Sequence, residues 1–95
     1  MVIMSNELWD KIKENLCLDD RDGLATRIDN DVYRISEEGK QHVMNLLLSD
    51  YNDCERYITY EESQKAQDRP HIKGLKDCKS IDNEVWIALN DCKEE

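Results

Sequence analysis

The segment VYRISEEGKQHV (Val32–Val43) joins a strand-like run to a helix and sets the organisation of the chain around it. The β-branched and aromatic residues that lead up to Ile35 are typical of a strand. Ser36 is a good helix N-cap, and the two glutamates after it fall in the first turn, where the helix dipole favours acidic side chains. We therefore predict a strand that ends at Ile35 and a helix that begins after Ser36.

The residues on either side of this segment extend both elements. LATRI and VYRI flank three turn-forming residues, 29–31, so we predict a β-hairpin over 24–35. After Ser36, apolar residues at helical spacing predict a central apolar helix, the most buried element of the chain; they are Val43, Met44, Leu46, Leu47, Leu48 and Tyr51. Cys54 and Ile58 continue this face, so the helix either runs on or breaks at Asn52-Asp53 before a short strand, RYITY.

The two ends of the chain complete the predicted fold. Ser5 can cap an N-terminal amphipathic helix that reaches about Leu16, and a turn follows at 19–23. Residues 1–4 add nothing to this pattern and allow a disordered start. Pro70 and Gly74 indicate a loop, and residues 81–92 fit either a helix or a strand. The fold class predicted for residues 1–95 is a small single α+β domain.

The charge of the chain limits the partners it can bind. It has 22 Asp and Glu against 13 Lys and Arg, a formal net charge of -9, while 39% of its residues are hydrophobic. Such an acidic chain repels the phosphate backbone of nucleic acids and anionic lipid surfaces, and it attracts basic proteins. The composition therefore argues against direct nucleic-acid or membrane binding and favours a basic protein as partner.

No motif in the sequence names a reaction or a cofactor. The four cysteines, Cys17, Cys54, Cys78 and Cys92, form no C-x-x-C pair, and only two histidines are present, so the usual zinc spacing is missing. Nucleotide-binding and nucleophile motifs are also missing. We expect no enzyme activity, metal or cofactor. Because no secretion signal is visible, we expect a cytoplasmic protein with reduced thiols that fill its core.

A part of the opening segment resembles a known family. Tyr33, Ile35, Ser36 and Gly39 resemble the Y-x-L-T-x-x-G step that follows the wing in many winged-helix regulators. A winged helix that binds DNA needs a recognition helix before its wing and a basic surface, and here one helix precedes the hairpin. The resemblance therefore implies, as an alternative function, a degenerate winged-helix-like regulatory or dimerisation domain without DNA binding. The basic segment at 65–79 is its other support.

Charge density without a catalytic motif favours a different function, that of a small acidic inhibitor. Carboxylates spaced along rigid elements would imitate a phosphate track and mask the basic, nucleic-acid-binding surface of a partner, as phage inhibitors of host nucleases and immunity proteins do. The predicted acidic track consists of Glu7, Asp10, Glu14, Asp50, Asp53, Glu55, Glu61 and Glu62. Tyr33, Tyr57 and Tyr60 are the predicted interface anchors, and a homo-oligomer is compatible with the same surface.

Overall fold

The computed structural model describes residues 1–19 and 23–94, and the fold it shows is α+β, as predicted. A three-stranded antiparallel sheet is combined with three helices. The elements are β1 (Val2–Ser5), α1 (Asn6–Leu16), β2 (Ala25–Asp29), β3 (Val32–Ile35), α2 (Glu37–Glu62) and α3 (Arg69–Asn90). The turn predicted at 19–23 includes residues 20–22, which lie outside the described residues.

The sheet is built around β3, the strand of the opening segment. The predicted hairpin is confirmed, since β2 pairs with β3 across the turn at Asn30 and Asp31. The structure adds β1 on the other side of β3, with Val2 opposite Ile35. The prediction of a disordered start was wrong, because both Val2 and Met4 are buried in the core. An isolated run of four residues gave too little pattern to distinguish a strand from a frayed end.

Helix α1 lies where the sequence predicted it. The Ser5 side chain accepts a hydrogen bond from the backbone N–H of Leu8 at 3.1 Å, which satisfies one of the free donors of the first turn. Trp9 and Ile12 point into the core, while the opposite face is exposed. The helix ends at Cys17 in the left-handed conformation, with a φ of 55°.

Helix α2 is longer and less apolar than predicted. It runs without a break from Glu37 to Glu62, so the predicted alternative of a strand at RYITY was wrong. Asn52 and Asp53 cost a helix only a few tenths of a kcal/mol each, roughly, and burial of Cys54 and Ile58 against α3 outweighs this cost. Most of the buried residues of α2 lie in its first half, at Gly39, Val43, Met44 and Leu47.

Helix α3 begins before the predicted C-terminal element. The predicted loop at Pro70 and Gly74 was wrong, because both residues lie inside α3. Asp68 caps the helix by accepting the backbone N–H of His71 at 3.1 Å. Pro70 is tolerated in the first turn, where its missing N–H would have no partner within the helix. Residues 81–90 are therefore the last part of a 22-residue helix rather than a separate helix or strand.

The two long helices lie antiparallel and divide the molecule into two parts. We call residues 51–79 the arm and the remaining described residues the body. In the body, α1 and the sheet surround the sheet-proximal ends of α2 and α3; the backbone N–H of Ile3 donates to the Lys93 carbonyl at 2.9 Å. At about 1.5 Å per residue, α2 is about 39 Å long. The molecule is correspondingly elongated, measuring 51 × 21 × 20 Å.

Two glycines in the helices should respond to substitution in opposite directions. A Cβ on Gly39 would lie 2.9 Å from Cγ1 of the buried Ile35, so Gly39→Ala should lower the free energy of unfolding by roughly 1–3 kcal/mol. Gly74 is inside α3 with open space around it, so Gly74→Ala should raise it by about 0.5–1 kcal/mol. Urea denaturation of both variants tests this; destabilisation by Gly74→Ala would contradict the course of α3.

Candidate functional site

The described residues contain a cluster of three side chains that could hold a metal ion, and it lies between the two long helices. A carboxylate oxygen of Asp50, the Sγ of Cys54 and a carboxylate oxygen of Asp82 all lie within 4.8 Å of one another. Asp82 is 1% exposed, an unusual burial for an aspartate. The Asn15 side-chain amide, at the end of α1, donates a hydrogen bond to Oδ1 of Asp82. The cluster thus joins three helices at the base of the arm.

The spacing of the cluster is visible in the sequence, although the cluster was not among the predicted sites. On α2, Cys54 follows Asp50 by four residues, and on α3, Asp82 follows Cys78 by four residues. In each helix this spacing places one carboxylate and one thiol a turn apart on the same face. Antiparallel packing then sets Asp50 beside Asp82. The prediction of separate helical elements with a loop at 70–74 hid this relation.

The environment of Asp82 favours its neutral form. Burial, then a hydrogen bond with Asp50 and the negative charge of Asp50, raise the pKa of Asp82 to about 8, although the Asn15 amide acts in the opposite direction. Oδ2 of Asp82 accepts no hydrogen bond from any N–H or O–H group of the described residues. Two carboxylates that face each other in this way need either a shared proton or a cation between them.

The two thiols next to this pair are poor nucleophiles. Burial, followed by the charge of Asp50, raises the pKa of Cys54 to about 11. The pKa of Cys78 is raised by the same two causes, in the same order. A reactive cysteine needs a lowered pKa, so neither residue resembles a catalytic thiol. The arrangement can store a proton or ligate a metal that displaces the thiol proton.

A surface groove lies beside Asp82, one member of this cluster. Its volume is about 270 Å³, and its walls include Leu47, Tyr51 and Trp86. Asp82 and the exposed Leu48 also line it. The groove therefore lies next to a carboxyl group that is itself shielded from solvent.

The predicted acidic track does not form one continuous surface. Glu7, Asp10 and Glu14 are exposed along the outer face of α1. Asp50 faces Asp82 inside the helix pair instead of pointing along the surface.

The remaining track residues lie on the arm, where most have basic partners. Glu55 pairs with Lys79 at 3.4 Å, and Glu62 pairs with Lys76 at 3.5 Å, so both bridge α2 to α3. Asp53 pairs with Arg56 one turn along α2. Glu61, which is half-buried, borders a surface cavity. Paired carboxylates of this kind present a weaker negative field to a partner than the α1 face does.

The three predicted interface tyrosines occupy two different environments. Tyr33 is half-buried and packs on Trp9, with ring centroids 6.2 Å apart, so it belongs to the edge of the core. Tyr57 and Tyr60 are 58% and 61% exposed on the arm. Together with Arg56, Glu61 and His71 they line an open cavity of about 550 Å³. Tyr57 and Tyr60 thus remain available as contact residues.

The net negative charge is confined to the body. Among the described residues of the body, thirteen Asp and Glu face six Lys and Arg, whereas the arm has six of each. The basic segment at 65–79 accounts for the balance in the arm, and it lies at the end of the molecule remote from the hairpin. An approaching basic partner would therefore be attracted toward the body.

None of the described helices combines the length and the apolar character that a membrane-spanning helix needs. Comparisons with protein-family models, with curated proteins and with solved structures found no match to this chain.

Proposed function

We propose that this protein is a small cytoplasmic acidic inhibitor that binds a basic partner and masks its nucleic-acid-binding surface. The observation that carries the proposal is the confinement of the net negative charge to the body, with the exposed α1 stripe of Glu7, Asp10 and Glu14 on its outer face. Carboxylates on a rigid helix can pair with Lys and Arg side chains that otherwise contact phosphates. No enzyme activity is part of this proposal.

The rigidity of α1 supports a role for its stripe. Trp9 and Ile12 anchor the inner face of the helix in the core, so the carboxylates on the outer face keep a defined spacing. Asp10 has a partner on the same helix, Lys13, at 3.6 Å, but the Asp10 carboxylate is exposed and can also pair with an Arg of a binding partner. Long-range attraction between such a surface and a basic protein acts mainly on the association rate.

The proposal predicts that charge reversal on the body and on the arm will have different effects. Glu7→Lys combined with Glu14→Lys should reduce the association rate with the partner by roughly ten-fold or more at low salt, because it changes the local charge by four units. The matched control is Glu61→Lys with Glu62→Lys, which makes the same change on the neutral arm. We expect it to slow association less.

The partner is first obtained by affinity capture from a nuclease-treated bacterial lysate, followed by mass spectrometry and by association kinetics at low and high salt. Capture of a basic nucleic-acid-binding protein that is released by salt supports the proposal. Equal rates for the wild type and the α1 variant would remove the α1 stripe from the interface. A larger effect of the arm variant would indicate that the interface is instead formed by the acidic residues of the arm, Asp53, Glu55, Glu61 and Glu62.

A regulatory or dimerisation domain related to the winged helix is the second candidate. It is favoured by the position of the hairpin β2–β3 directly before α2, and by exposed Tyr57 and Tyr60 on the arm, which could meet a second copy. The basic segment at 65–79 does not gather beside the hairpin, an arrangement that would have favoured this function. Sedimentation equilibrium separates the candidates, since a stable dimer that captures no basic protein would favour the second.

A further inference from the structure

We propose that the cluster formed by Asp50, Cys54 and Asp82 is a binding site for one zinc ion that fastens α2 to α3 at the base of the arm. The three ligand atoms already lie within 4.8 Å of one another. Tetrahedral zinc with Zn–S of about 2.3 Å and Zn–O of about 2.1 Å separates its ligand atoms by about 3.4–3.7 Å. Side-chain rotations that bring the atoms together by roughly 1 Å would complete the site.

A second observation points independently to a cation. Asp82 is 1% exposed, and its Oδ2 has no hydrogen-bond donor among the described residues. Asn15 satisfies only Oδ1. Across the helix interface Asp82 meets another carboxylate, Asp50, so the pair needs a shared proton or a positive ion between its oxygens, and the ion would also satisfy Oδ2.

The ligand types select the metal. A thiolate is a soft ligand that Mg²⁺ and Ca²⁺ do not favour, whereas zinc accepts thiolate sulfur and carboxylate oxygen together. Three protein ligands leave the fourth tetrahedral position of the zinc ion to a water molecule. Neither His42 nor His71 belongs to the cluster in the described part of the chain.

Binding of Zn²⁺ releases the proton of the Cys54 thiol and the proton held by the Asp50–Asp82 pair, because the metal takes the deprotonated ligands. The charge of the cluster then changes from one negative charge shared by the carboxylates to three on the ligands, balanced in part by the two positive charges of the ion. No oxidant or reductant takes part. The site would be structural, since its ligands come from both long helices and would tie α2 to α3 where the arm begins.

The test uses the full chain, reduced and stripped of metal with a chelator. Titration with Co²⁺ should give a cobalt–thiolate charge-transfer band that saturates at one equivalent and that Zn²⁺ abolishes. Zinc at about a hundred times its dissociation constant should raise the melting temperature by roughly 10–20 °C for a domain of this size. Absence of the band and of the shift would overturn the proposal and leave a shared proton as the only occupant of the carboxylate pair.

Substitutions that leave the protein folded can show which residues bind the metal. Asp82→Asn can still accept the Asn15 amide and donate to Asp50, so it should remain folded but lose both the cobalt band and the zinc-dependent shift. Cys54→Ser should lose the charge-transfer band. Asp77→Asn, the same change at an exposed position of α3, and Cys92→Ser should bind like the wild type. An unchanged response of Asp82→Asn would overturn the proposal, as would loss of binding in Cys92→Ser.

Discussion

Replacement of Asp82 by Asn should stabilise the metal-free protein, by roughly 1–3 kcal/mol in the free energy of unfolding at pH 8. Most substitutions of buried residues destabilise a protein, so the sign of this effect is its distinctive feature. At pH 8 the wild type must either ionise a carboxyl that is 1% exposed beside Asp50 or take up a proton from solvent. Asn needs neither, and its amide can donate to Asp50 while its carbonyl accepts from Asn15.

The same substitution should change how stability depends on pH. Burial and the facing carboxylate raise the pKa of Asp82 from 3.8 to about 8, so between these values the folded state binds a proton that the unfolded state has lost. The wild type should therefore lose stability as the pH rises from about 4 to about 8. The titratable groups that face Asp82 are Asp50 and Cys54 from α2 and Cys78 from its own helix. In Asp82→Asn this contribution is missing, so the gain over the wild type should grow across the interval and vanish near pH 4.

Urea denaturation of both proteins at several pH values, with a chelator present, measures this difference directly. Asp77→Asn is the control, because it removes one exposed carboxylate from the same helix. It should shift stability by no more than a few tenths of a kcal/mol at any pH. A constant difference between Asp82→Asn and the wild type from pH 4 to pH 8 would show that Asp82 is not held in its neutral form.

The sequence was most informative where local chemistry decides the structure. Ser36 ends β3 and begins α2, and the turn at Asn30 and Asp31 closes the hairpin, because capping and turn formation depend on a few neighbouring residues. The sequence was least informative where contacts between distant residues determine the structure. Residues Val2–Ser5 form β1 because they pair with the free edge of β3. Pro70 by itself indicates a loop, and only the capping of α3 by Asp68 explains why it lies in the first turn of a helix.

The candidate site also combines features that neighbouring residues determine with features that depend on distant parts of the chain. The charge of α1 and the exposure of its stripe follow from helical periodicity alone, so Glu7, Asp10 and Glu14 could be assigned to an outer face from the sequence. Whether Asp50 is a surface charge or a buried one depends on α3, thirty-two residues away, and no local pattern carries that information. The carboxylate pair forms only because the two long helices pack antiparallel, and this packing was not predicted from the sequence.

Replacement of Trp9 by Ala should be among the most damaging changes in the chain, with a loss of about 3–5 kcal/mol in the free energy of unfolding. Trp9 is 1% exposed and belongs to the core that joins α1 to Val2 and Met4 of the sheet and to Leu89 of α3. A small domain has only about 5–15 kcal/mol in total, so the variant should lose a large fraction of its stability and unfold at a much lower urea concentration than the wild type.

The other tryptophan supplies the matched control for this prediction. Trp86 is half-buried at the groove and packs on the edge of the core, so Trp86→Ala should cost roughly half as much or less. Each variant keeps one tryptophan, which allows both to be followed by fluorescence during urea denaturation. An equal or greater loss in Trp86→Ala would mean that the groove wall, and not the junction of α1 with the sheet, supports the body. The carboxylates of α1 would then lack the rigid base on which the proposed recognition of a basic partner depends.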